Sequence, residues 1–295
     1  MKVYIDGNLG TTGLELESRL KELAQKVKLE FIQARDGLRK DLSERKKLLN
    51  AADVVFLCLP DGAAKEAVAM VDNPDTVIID ASTAHRTHGD WAYGFPELSP
   101  NHFQKIATSN RISVPGCHAT GFSALVYPLV EGGFIPNDGV LSCHSLTGYS
   151  GGGKSMIEAY EQGGASAALL YGLDLGHKHL PEMMAVCGLL NPPIFTPVVV
   201  PLKQGMVVTV PLAADAKKLW AHLNGHYENS PTIRVKPFGE QVSLNIETGM
   251  AANALDIYVF GHGKQTVLAA HLDNLGKGSS GAAVECLKVR FGIHD

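Results

Sequence analysis

The residue best suited to covalent chemistry in this chain is Cys117, within the apolar stretch 112–128. Pro115-Gly116 predicts a turn, and the apolar residues that follow predict a short helix with one buried face. A thiol in the first turn of a helix has a lowered pKa because the helix dipole stabilises its anion. The thiolate attacks carbonyl carbon. We therefore interpret Cys117 as a nucleophile; the alternative is a small buried apolar side chain.

Two histidines and a glutamate occur together in the segment Gly176-His-Lys-His-Leu-Pro-Glu182, just before an apolar run. A metal site is a weak interpretation because no Cys, Asp or third His stands at the usual spacing. We predict no metal. Proton transfer beside Cys117 fits His177 and His179 better, although either ring could instead be structural or exposed.

The N-terminal segment has the pattern of a dinucleotide site. Residues 2–6 predict a buried strand, Gly7-Asn-Leu-Gly10-Thr-Thr-Gly13 a glycine turn, and residues 14–23 a helix. In that order, the glycines let the backbone approach a pyrophosphate at the helix N-terminus. The spacing departs from G-x-G-x-x-G, so a purely structural turn is the alternative. The predicted contacts to the cofactor are Gly7, Asn8, Gly10, Thr11, Thr12 and Gly13.

Three further strands are predicted at residues 29–33, 53–59 and 76–80, with helical segments between them. This alternation is typical of a parallel α/β sheet. Arg35 follows the second strand, where an arginine suits a 2′-phosphate and a carboxylate suits NAD. Arg35 therefore favours NADP(H), although Asp36 weakens the signal and Arg35 could be a surface charge. Arg86, in the loop after the fourth strand, is predicted to bind an anionic substrate, with a solvated loop arginine as the alternative.

The second half of the chain contains another glycine-rich segment, Thr147-Gly-Tyr-Ser-Gly-Gly-Gly-Lys154, after a predicted strand. Ser150, Gly151 and Gly152 are predicted to contact the cofactor and Lys154 a phosphate; a flexible connector is the alternative. Residues 194–212 are apolar and strand-like. Such runs need a covering surface, which predicts an oligomer.

Composition excludes several classes of function. The chain has 295 residues, 19% charged residues and a net charge of −4, which gives no basic field for nucleic acid. No stretch reaches the length of a membrane span, and the chain begins with a strand rather than a signal peptide. The five cysteines have no paired spacing, so a disulfide framework is not expected. Together these features predict a cytoplasmic protein.

Three motifs together carry a family resemblance: Val114-Pro-Gly-Cys-His-Ala-Thr-Gly121, the segment 176–182, and Asp273-Asn-Leu-Gly-Lys-Gly-Ser-Ser-Gly281. Over essentially its whole length the chain resembles the shorter form of the N-acetyl-γ-glutamyl-phosphate reductases, in the aspartate-semialdehyde dehydrogenase-like superfamily. The resemblance implies a Rossmann-type parallel sheet domain, residues 1–116, completed by the C-terminal segment 274–295. It also implies an inserted α+β catalytic and dimerisation domain, residues 117–273.

The resemblance further implies a reaction: NADPH-dependent reduction of N-acetylglutamyl 5-phosphate to the 5-semialdehyde plus phosphate, through a cysteine thioester, in arginine biosynthesis. The expected partners are the small acyl phosphate and phosphate, in a homodimer or homotetramer. The family's motifs place the nucleophile at Cys117 and the acid/base at His179, with His177 as the other option. They also place Glu182 in the substrate site and Asn274 at the nicotinamide amide.

Two positions depart from the family pattern. His118 stands where the family usually has Tyr or Phe, and Ser279-Ser280 stands where Ala-Ala is commoner. Neither change removes a reacting group, but His118 alters the pocket. The competing interpretations are another acyl-phosphate reductase, acting on aspartyl or aminoadipyl phosphate, and a non-catalytic NADP-sensing protein.

Overall fold

The computed structural model describes residues 1–35, 37–247 and 253–294. Asp36, which weakened the NADP signal, and Asp295, at the end of the predicted closing segment, lie outside the described residues. The chain divides into two compact units, one of Met1–Pro115 with Ser279–Asp295 and one of Gly116–Gly278. The domain borders predicted at 116/117 and 273/274 stay a prediction.

The first unit is built on a parallel sheet. Its described residues form six strands in the order β2-β1-β3-β4-β6-β5, each parallel to its neighbours. The strands are β1 (Lys2–Asp6), β2 (Glu30–Phe31), β3 (Val54–Leu57), β4 (Val77–Asp80), β5 (Ala92–Tyr93) and β6 (Arg111–Ser113). The second strand is shorter than the predicted 29–33 because it pairs only with β1, at the edge of the sheet.

Helices cover both faces of this sheet. They are α1 (Thr11–Leu23), α2 (Leu42–Ala51), α3 (Asp61–Ala69), α4 (Pro100–Thr108) and, from the C-terminal segment, α9 (Gly281–Phe291). Alternate strand residues enter opposite cores: Val54 and Phe56 join one cluster, and Val55 and Leu57 the other. Burial on both faces explains why β3 and β4 are continuous apolar runs.

The second unit contains a mixed sheet. Its described residues form seven strands in the order β11-β12-β13-β10-β7-β9-β8. The strands are β7 (Ser142–Gly148), β8 (Leu169–Leu170), β9 (Ile194–Val200), β10 (Met206–Leu212), β11 (Ile233–Val235), β12 (Leu255–His262) and β13 (Gln265–Leu272). The helices are α5 (Cys117–Glu131), α6 (Lys154–Glu161), α7 (Leu180–Cys187) and α8 (Ala216–His226). This α/β architecture with a second α+β unit confirms the predicted fold class.

Helix α5 packs tightly on one face of the mixed sheet. A Cβ built on Gly121 would lie 2.5 Å from Val208 Cγ2, so only glycine allows this approach. Register places the opposite residues on the other face: Val207 pairs with Leu146, and Leu146 with Val198. Leu146 is 40% exposed and Val267, further along that face, is 39% exposed. Part of this sheet face is therefore an open apolar surface.

Two motif segments have local structure of their own. In the glycine-rich segment around Ser150, Tyr149–Gly152 forms a 3-10 helix shortly before α6. Before α9, the Ser280 side chain makes no cap hydrogen bond and accepts a hydrogen bond from Arg19 Nε at 2.9 Å. In the described part of the chain, no helix is long and apolar enough to cross a membrane.

Candidate active site

Cys117 is the first residue of α5, as the Pro-Gly turn predicts. Gly116 occupies the N-cap with extended backbone, and its carbonyl accepts the first helical hydrogen bond, from Thr120 N. The N–H of Gly116 donates to Glu182 Oε1 at 2.8 Å, and Glu182 is 1% exposed. A buried carboxylate on α7 therefore holds the turn that presents the thiol, while Cys117 itself is half-buried.

A cluster of histidine rings lies at this end of α5. His118, the residue after the thiol, has its ring centroid 5.4 Å from that of His177 and 5.5 Å from that of His179. The rings of His177 and His179 are 4.8 Å apart and nearly perpendicular. Phe195 contacts both His118 and His177 at centroid distances near 5 Å. The fold thus brings the predicted histidine pair to the residue that follows Cys117.

Burial keeps two of these rings neutral. Burial, with the charges of His177 and Lys178, lowers the pKa of His118 to about 3. Burial, with the charge of Lys178, lowers the pKa of His177 to about 4. Nδ1 of His177 accepts a hydrogen bond from the backbone N–H of His179 at 3.2 Å. That bond places the single proton of the neutral His177 ring on Nε2, which makes Nε2 a donor.

Two further polar groups face His118. Its Nδ1 lies 2.8 Å from Ser145 Oγ, and its Nε2 lies 2.9 Å from the Tyr171 hydroxyl. Burial, together with the negative charge of Cys117, raises the pKa of Tyr171. The phenol therefore stays protonated.

Gly278, in the π-helix Gly276–Ser280, packs against Cys117. A Cβ built on Gly278 would lie 2.8 Å from Cys117 Cβ, so a larger residue would displace the nucleophile. The N–H of Gly278 donates to the carbonyl of Asp273. The neighbouring Asn274 accepts from Gly205 N at 2.8 Å and donates to Ser150 Oγ at 2.9 Å. Asn274 and Ser150, both predicted cofactor contacts, are thus hydrogen-bonded to each other.

The glycine turn of the first unit forms one side of a cavity of about 550 Å³. Gly7 has φ of +92°, and its added Cβ would lie 2.2 Å from the carbonyl oxygen of Cys58. A Cβ on Gly13 would lie 2.4 Å from the carbonyl oxygen of Gly7, so α1 approaches the turn as closely as glycine permits. Gly7, Asn8 and Gly10 line the cavity, and Thr11 and Thr12 begin α1 beside it. These residues fit the pyrophosphate of a dinucleotide.

The cationic residues that line this cavity do not include Arg35, for which the phosphate contact is predicted. Arg35 Nε and Nη2 donate to the Glu44 carboxylate at 3.0 and 2.9 Å, so its guanidinium fork is engaged on α2. Of the described residues, the cationic ones that line the cavity are Arg39, Lys40 and Arg45, and Arg45 is paired with Asp6 at 2.8 Å. The 2′-phosphate role predicted for Arg35 stays a prediction.

Comparison with known families matches both units. Residues 2–106 match the NAD binding domain of semialdehyde dehydrogenases, and residues 117–274 match the dimerisation domain of the same group. The chain is 42% identical over 308 residues to N-acetyl-gamma-glutamyl-phosphate reductase of Burkholderia lata, covering 99% of this chain and 97% of that protein. It is 41% identical to N-acetyl-gamma-glutamyl-phosphate reductase 2 of a Nostoc species, with the same coverage of both chains. The chain belongs to the N-acetyl-γ-glutamyl-phosphate reductase family.

Solved structures show the same fold at lower identity. Aspartate semialdehyde dehydrogenase II of Vibrio cholerae, complexed with ASA, superposes with a TM-score of 0.71 at 16% identity, over 100% of this chain and 99% of that chain. A probable aspartate-semialdehyde dehydrogenase from Pseudomonas aeruginosa gives 0.73 at 15% identity, over 99% and 98%. The predicted family and oxidoreductase class are confirmed, and NADP(H) agrees with the nucleotide-binding family model.

Two residues predicted to bind substrate make other contacts in this member of the reductase family. Arg86 donates from Nε to the Val114 carbonyl at 2.9 Å and from Nη2 to the Ala81 carbonyl at 3.0 Å. Lys154 begins α6 with its side chain 82% exposed and 3.8 Å from Glu158. Gly151 and Gly152 are exposed in the 3-10 helix before α6.

Sequence reasoning missed Tyr171, Ser145 and Gly278. Tyr171 is 53 positions from its hydrogen-bond partner His118, and no local sequence pattern predicts that contact. Gly278 belongs to the same terminal motif as Asn274. Its close neighbours in the motif, Gly276 and Gly281, gave a weak signal that space is limited in this segment.

Proposed function

We propose that this chain reduces N-acetyl-γ-glutamyl phosphate to N-acetylglutamate semialdehyde and phosphate with NADPH, a step of arginine biosynthesis. The observation that carries the proposal is the thiol on the first residue of α5, beside the His177–His179 pair. The substrate is that of the N-acetyl-gamma-glutamyl-phosphate reductases to which the chain is 42% and 41% identical. The rival aspartyl substrate comes only from structures at 16% and 15% identity.

In the first half of the reaction the Cys117 thiolate attacks the acyl carbon, and phosphate leaves from the tetrahedral adduct to give a thioester. Donors for the oxyanion of that adduct come from the N-terminal turn of α5. NADPH, when bound, supplies the hydride that reduces the thioester. His179 protonates the resulting hemithioacetal oxyanion, and when the same ring takes that proton back the C–S bond breaks to give the aldehyde and the Cys117 thiolate. One acyl phosphate, one NADPH and one proton thus give aldehyde, phosphate and NADP⁺.

The two histidines have different proposed roles. His179 is the acid/base that takes the thiol proton and protonates the hemithioacetal oxyanion. His177 is poorly placed for that role, because its Nδ1 is occupied by the His179 N–H and its Nε2 carries the proton. With a pKa near 4, His177 stays neutral and acts as a hydrogen-bond donor to the substrate.

The proposed cofactor site combines the glycine cradle with two cations. Gly7, Asn8, Gly10 and Gly13 admit the pyrophosphate, with Thr11 and Thr12 at the N-terminus of α1. Arg39 and Lys40 line the same cavity and pair with the 2′-phosphate that distinguishes NADP(H) from NAD(H). Roles of Ser150, Gly151, Gly152 and Asn274 at the nicotinamide stay a prediction.

Substrate contacts by Arg86 and Lys154 also stay predictions. Glu182 acts on the nucleophile through the Gly116 N–H rather than on the substrate, because its carboxylate is buried against that turn. Replacing it with Gln keeps an acceptor for Gly116, but a neutral amide is a weaker acceptor than a carboxylate. We therefore expect Glu182→Gln to lower kcat and leave KM; a raised KM with unchanged kcat would restore the substrate-binding role.

We further propose that the chain works as a homodimer or homotetramer in the cytoplasm. The open apolar face of the mixed sheet, with Leu146, Ile194 and Val267 at 39–47% exposure, supports a sheet-to-sheet contact between copies. The dimerisation-domain match supports it too. None of the five cysteines, all within the described residues, forms a disulfide, which fits a reducing compartment. Light scattering from a fully active 31.5 kDa species would contradict the oligomer.

The reaction is tested in the reverse direction. We expect NADP⁺ reduction, followed at the NADPH absorbance, with N-acetylglutamate semialdehyde and phosphate, and dependence on both. Aspartate semialdehyde serves as the matched rival substrate. Faster turnover of aspartate semialdehyde would reassign the substrate, and turnover of neither aldehyde would favour a non-catalytic NADP-sensing protein.

A further inference from the structure

The segment that carries the two site histidines, residues 171–179, has an unusual backbone. It lies between β8 and α7 and is called the histidine segment below. Leu175 in this segment has φ of +56°, a left-handed conformation that is unfavourable for a residue with a Cβ. The Leu175 side chain is 50% exposed, so its own burial does not hold this conformation. Contacts made by other residues of the segment must hold it.

Backbone hydrogen bonds shape the histidine segment at both ends. Tyr171 N donates to the Pro197 carbonyl on β9 at 3.2 Å, and Leu180 N donates to the His177 carbonyl at 2.9 Å. Between them, Leu175 N donates to the Gly172 carbonyl at 3.0 Å. These bonds join the segment to β9 and to α7. None of them joins it to α5, the helix that begins with Cys117.

A side-chain hydrogen bond joins the histidine segment to α5. The Tyr171 hydroxyl lies 2.9 Å from Nε2 of His118, the second residue of α5. On the other side of the ring, Nδ1 of His118 lies 2.8 Å from Ser145 Oγ on β7. A neutral imidazole has one donor and one acceptor nitrogen, and a hydroxyl can serve either, so both bonds form together. Ser145 and His118 are 1% and 3% exposed, so turning the ring would break a buried hydrogen bond.

Ring packing connects Tyr171 to the histidines of the segment. The ring centroids of Tyr171 and His177 are 5.7 Å apart. The His118 ring lies 5.4 Å from that of His177 and 5.5 Å from that of His179. A Cβ built on Gly172, the residue after Tyr171, would lie 3.7 Å from His177 Cδ2. A displacement of Tyr171 would therefore be felt directly by the His177 ring.

We propose that the hydrogen bond between His118 and Tyr171 holds the histidine segment against the start of α5 and thereby positions its histidines beside Cys117. Ser145, His118 and Tyr171 are positioning residues, because none of them exchanges a proton with the reacting atoms in the proposed scheme. The proposal rests on the proposed function only in the acid/base role given to His179. A phenylalanine at position 118 could not make either hydrogen bond.

Hydrogen–deuterium exchange of the whole chain, without substrate or cofactor, tests the proposal. The peptide 172–180 contains amides that are hydrogen-bonded within it, those of Leu175, Gly176, His179 and Leu180. Tyr171→Phe is expected to speed exchange of this peptide about 2- to 10-fold, the effect of one lost hydrogen bond on a local opening. The amides of β10 should keep their wild-type protection, which shows that the variant is folded.

Tyr227→Phe is the matched control. The Tyr227 hydroxyl is buried and donates to the Ala124 carbonyl on α5 at 2.9 Å, so the same substitution removes one hydrogen bond to the same helix. It should leave the exchange of peptide 172–180 unchanged. Ser145→Ala is expected to speed that exchange by less than Tyr171→Phe, and to add nothing in the Tyr171→Phe background, because it acts through the same bond.

Kinetics separate a positioning role from a merely structural one. Tyr171→Phe is expected to lower kcat about tenfold and to leave the KM for NADPH unchanged, because a misplaced acid/base affects the chemical step. Ser145→Ala, which keeps both rings, should lower kcat by less. If Tyr171→Phe loosens β10 as well, the exchange and kcat of Ser145→Ala decide the case.

Wild-type exchange of peptide 172–180 in Tyr171→Phe would overturn the proposal, as would an equal increase in Tyr227→Phe or faster exchange with unchanged kcat. The proposed function fails separately. If Tyr171→Phe speeds the exchange but the wild type does not turn over the acyl phosphate, the substrate is wrong and the hydrogen bond still holds the segment. If the wild type turns over the acyl phosphate and the exchange is unchanged in Tyr171→Phe, only the positioning proposal fails.

Discussion

Gly278 lies so close to Cys117 that a Cβ on the glycine would approach the cysteine Cβ to 2.8 Å. Contacts this short do not occur between real Cβ atoms, so one of the two backbones would have to move. The terminal motif thus limits the volume beside the nucleophile. A single methyl group at this position is a direct probe of how tightly the thiol is positioned.

Gly278→Ala is therefore expected to lower kcat by about 10²-fold, since a displacement near 1 Å at a reacting atom has an effect of that size. The matched control is Gly225→Ala in α8, where an added Cβ meets no atom within 4 Å. Alanine there should preserve kcat and raise the free energy of unfolding by about 0.5–1 kcal/mol. Wild-type kcat in Gly278→Ala would show that the site tolerates the displacement.

Cofactor preference should depend on Arg39 more than on Arg35. Arg39 lines the cavity, whereas the Arg35 fork is bonded to Glu44. Arg39→Ala is expected to raise the Kd for NADP(H) about 10- to 100-fold and leave that for NAD(H) nearly unchanged. Arg35→Ala, measured by the same fluorescence titration, should change selectivity little. The reverse ranking of the two variants would return the phosphate contact to Arg35.

Substitutions of His177 and His179 should have different effects on kcat. His179→Gln is expected to lower kcat by about 10²–10⁴-fold, as loss of a general acid/base does. His177→Asn keeps an acceptor for the His179 N–H and should cost about tenfold, the value of one hydrogen bond. Single-turnover rates with the acyl phosphate would measure both. If His177→Asn is the more damaging change, the proton-transfer role belongs to His177.

Stability should fall in mild acid because the buried His118 and the half-buried His177 are neutral rings in the folded protein. Their folded pKa values, about 3 and about 4, lie below the ordinary value of 6.5. Between the folded and the unfolded pKa values, the unfolded chain binds more protons than the folded chain. The free energy of unfolding therefore falls as the pH is lowered from about 6.5 toward these folded values. Each ring contributes a slope of up to about 1.4 kcal/mol per pH unit.

Urea unfolding between about pH 7 and pH 4 would measure this slope. His118→Phe replaces the ring with one that never titrates, so its curve should be flatter than that of the wild type even if its stability at neutral pH is lower. An identical slope in the variant would mean that His118 does not become charged on unfolding in this range.

Local features of this fold could be predicted from sequence, and contacts between distant segments could not. The Pro115-Gly116 turn and the apolar positions after it placed Cys117 at a helix start, because turn and periodicity are properties of neighbouring residues. The glycine turn at Gly7 was predictable for the same reason. The pairing of Arg35 with Glu44 depends instead on how α2 packs, and no pattern of neighbouring residues predicts it.

The candidate site was predictable only in part for the same physical reason. The residue types at 117, 177 and 179 suggested a thiol with proton-transfer partners. The proton position on His177 depends on one backbone N–H. The hydrogen bonds of His118 to Ser145 and to Tyr171 join segments that are far apart in sequence. Such hydrogen bonds are set by tertiary packing, which sequence spacing does not encode.

The central claim is that Cys117 carries the acyl group. The most direct measurement is mass spectrometry of the enzyme mixed with N-acetyl-γ-glutamyl phosphate in the absence of NADPH. We predict an N-acetylglutamyl adduct confined to the peptide that holds Cys117, released when NADPH is added and missing in Cys117→Ala. Full turnover by Cys117→Ala, or an adduct on another residue that NADPH discharges, would contradict the account.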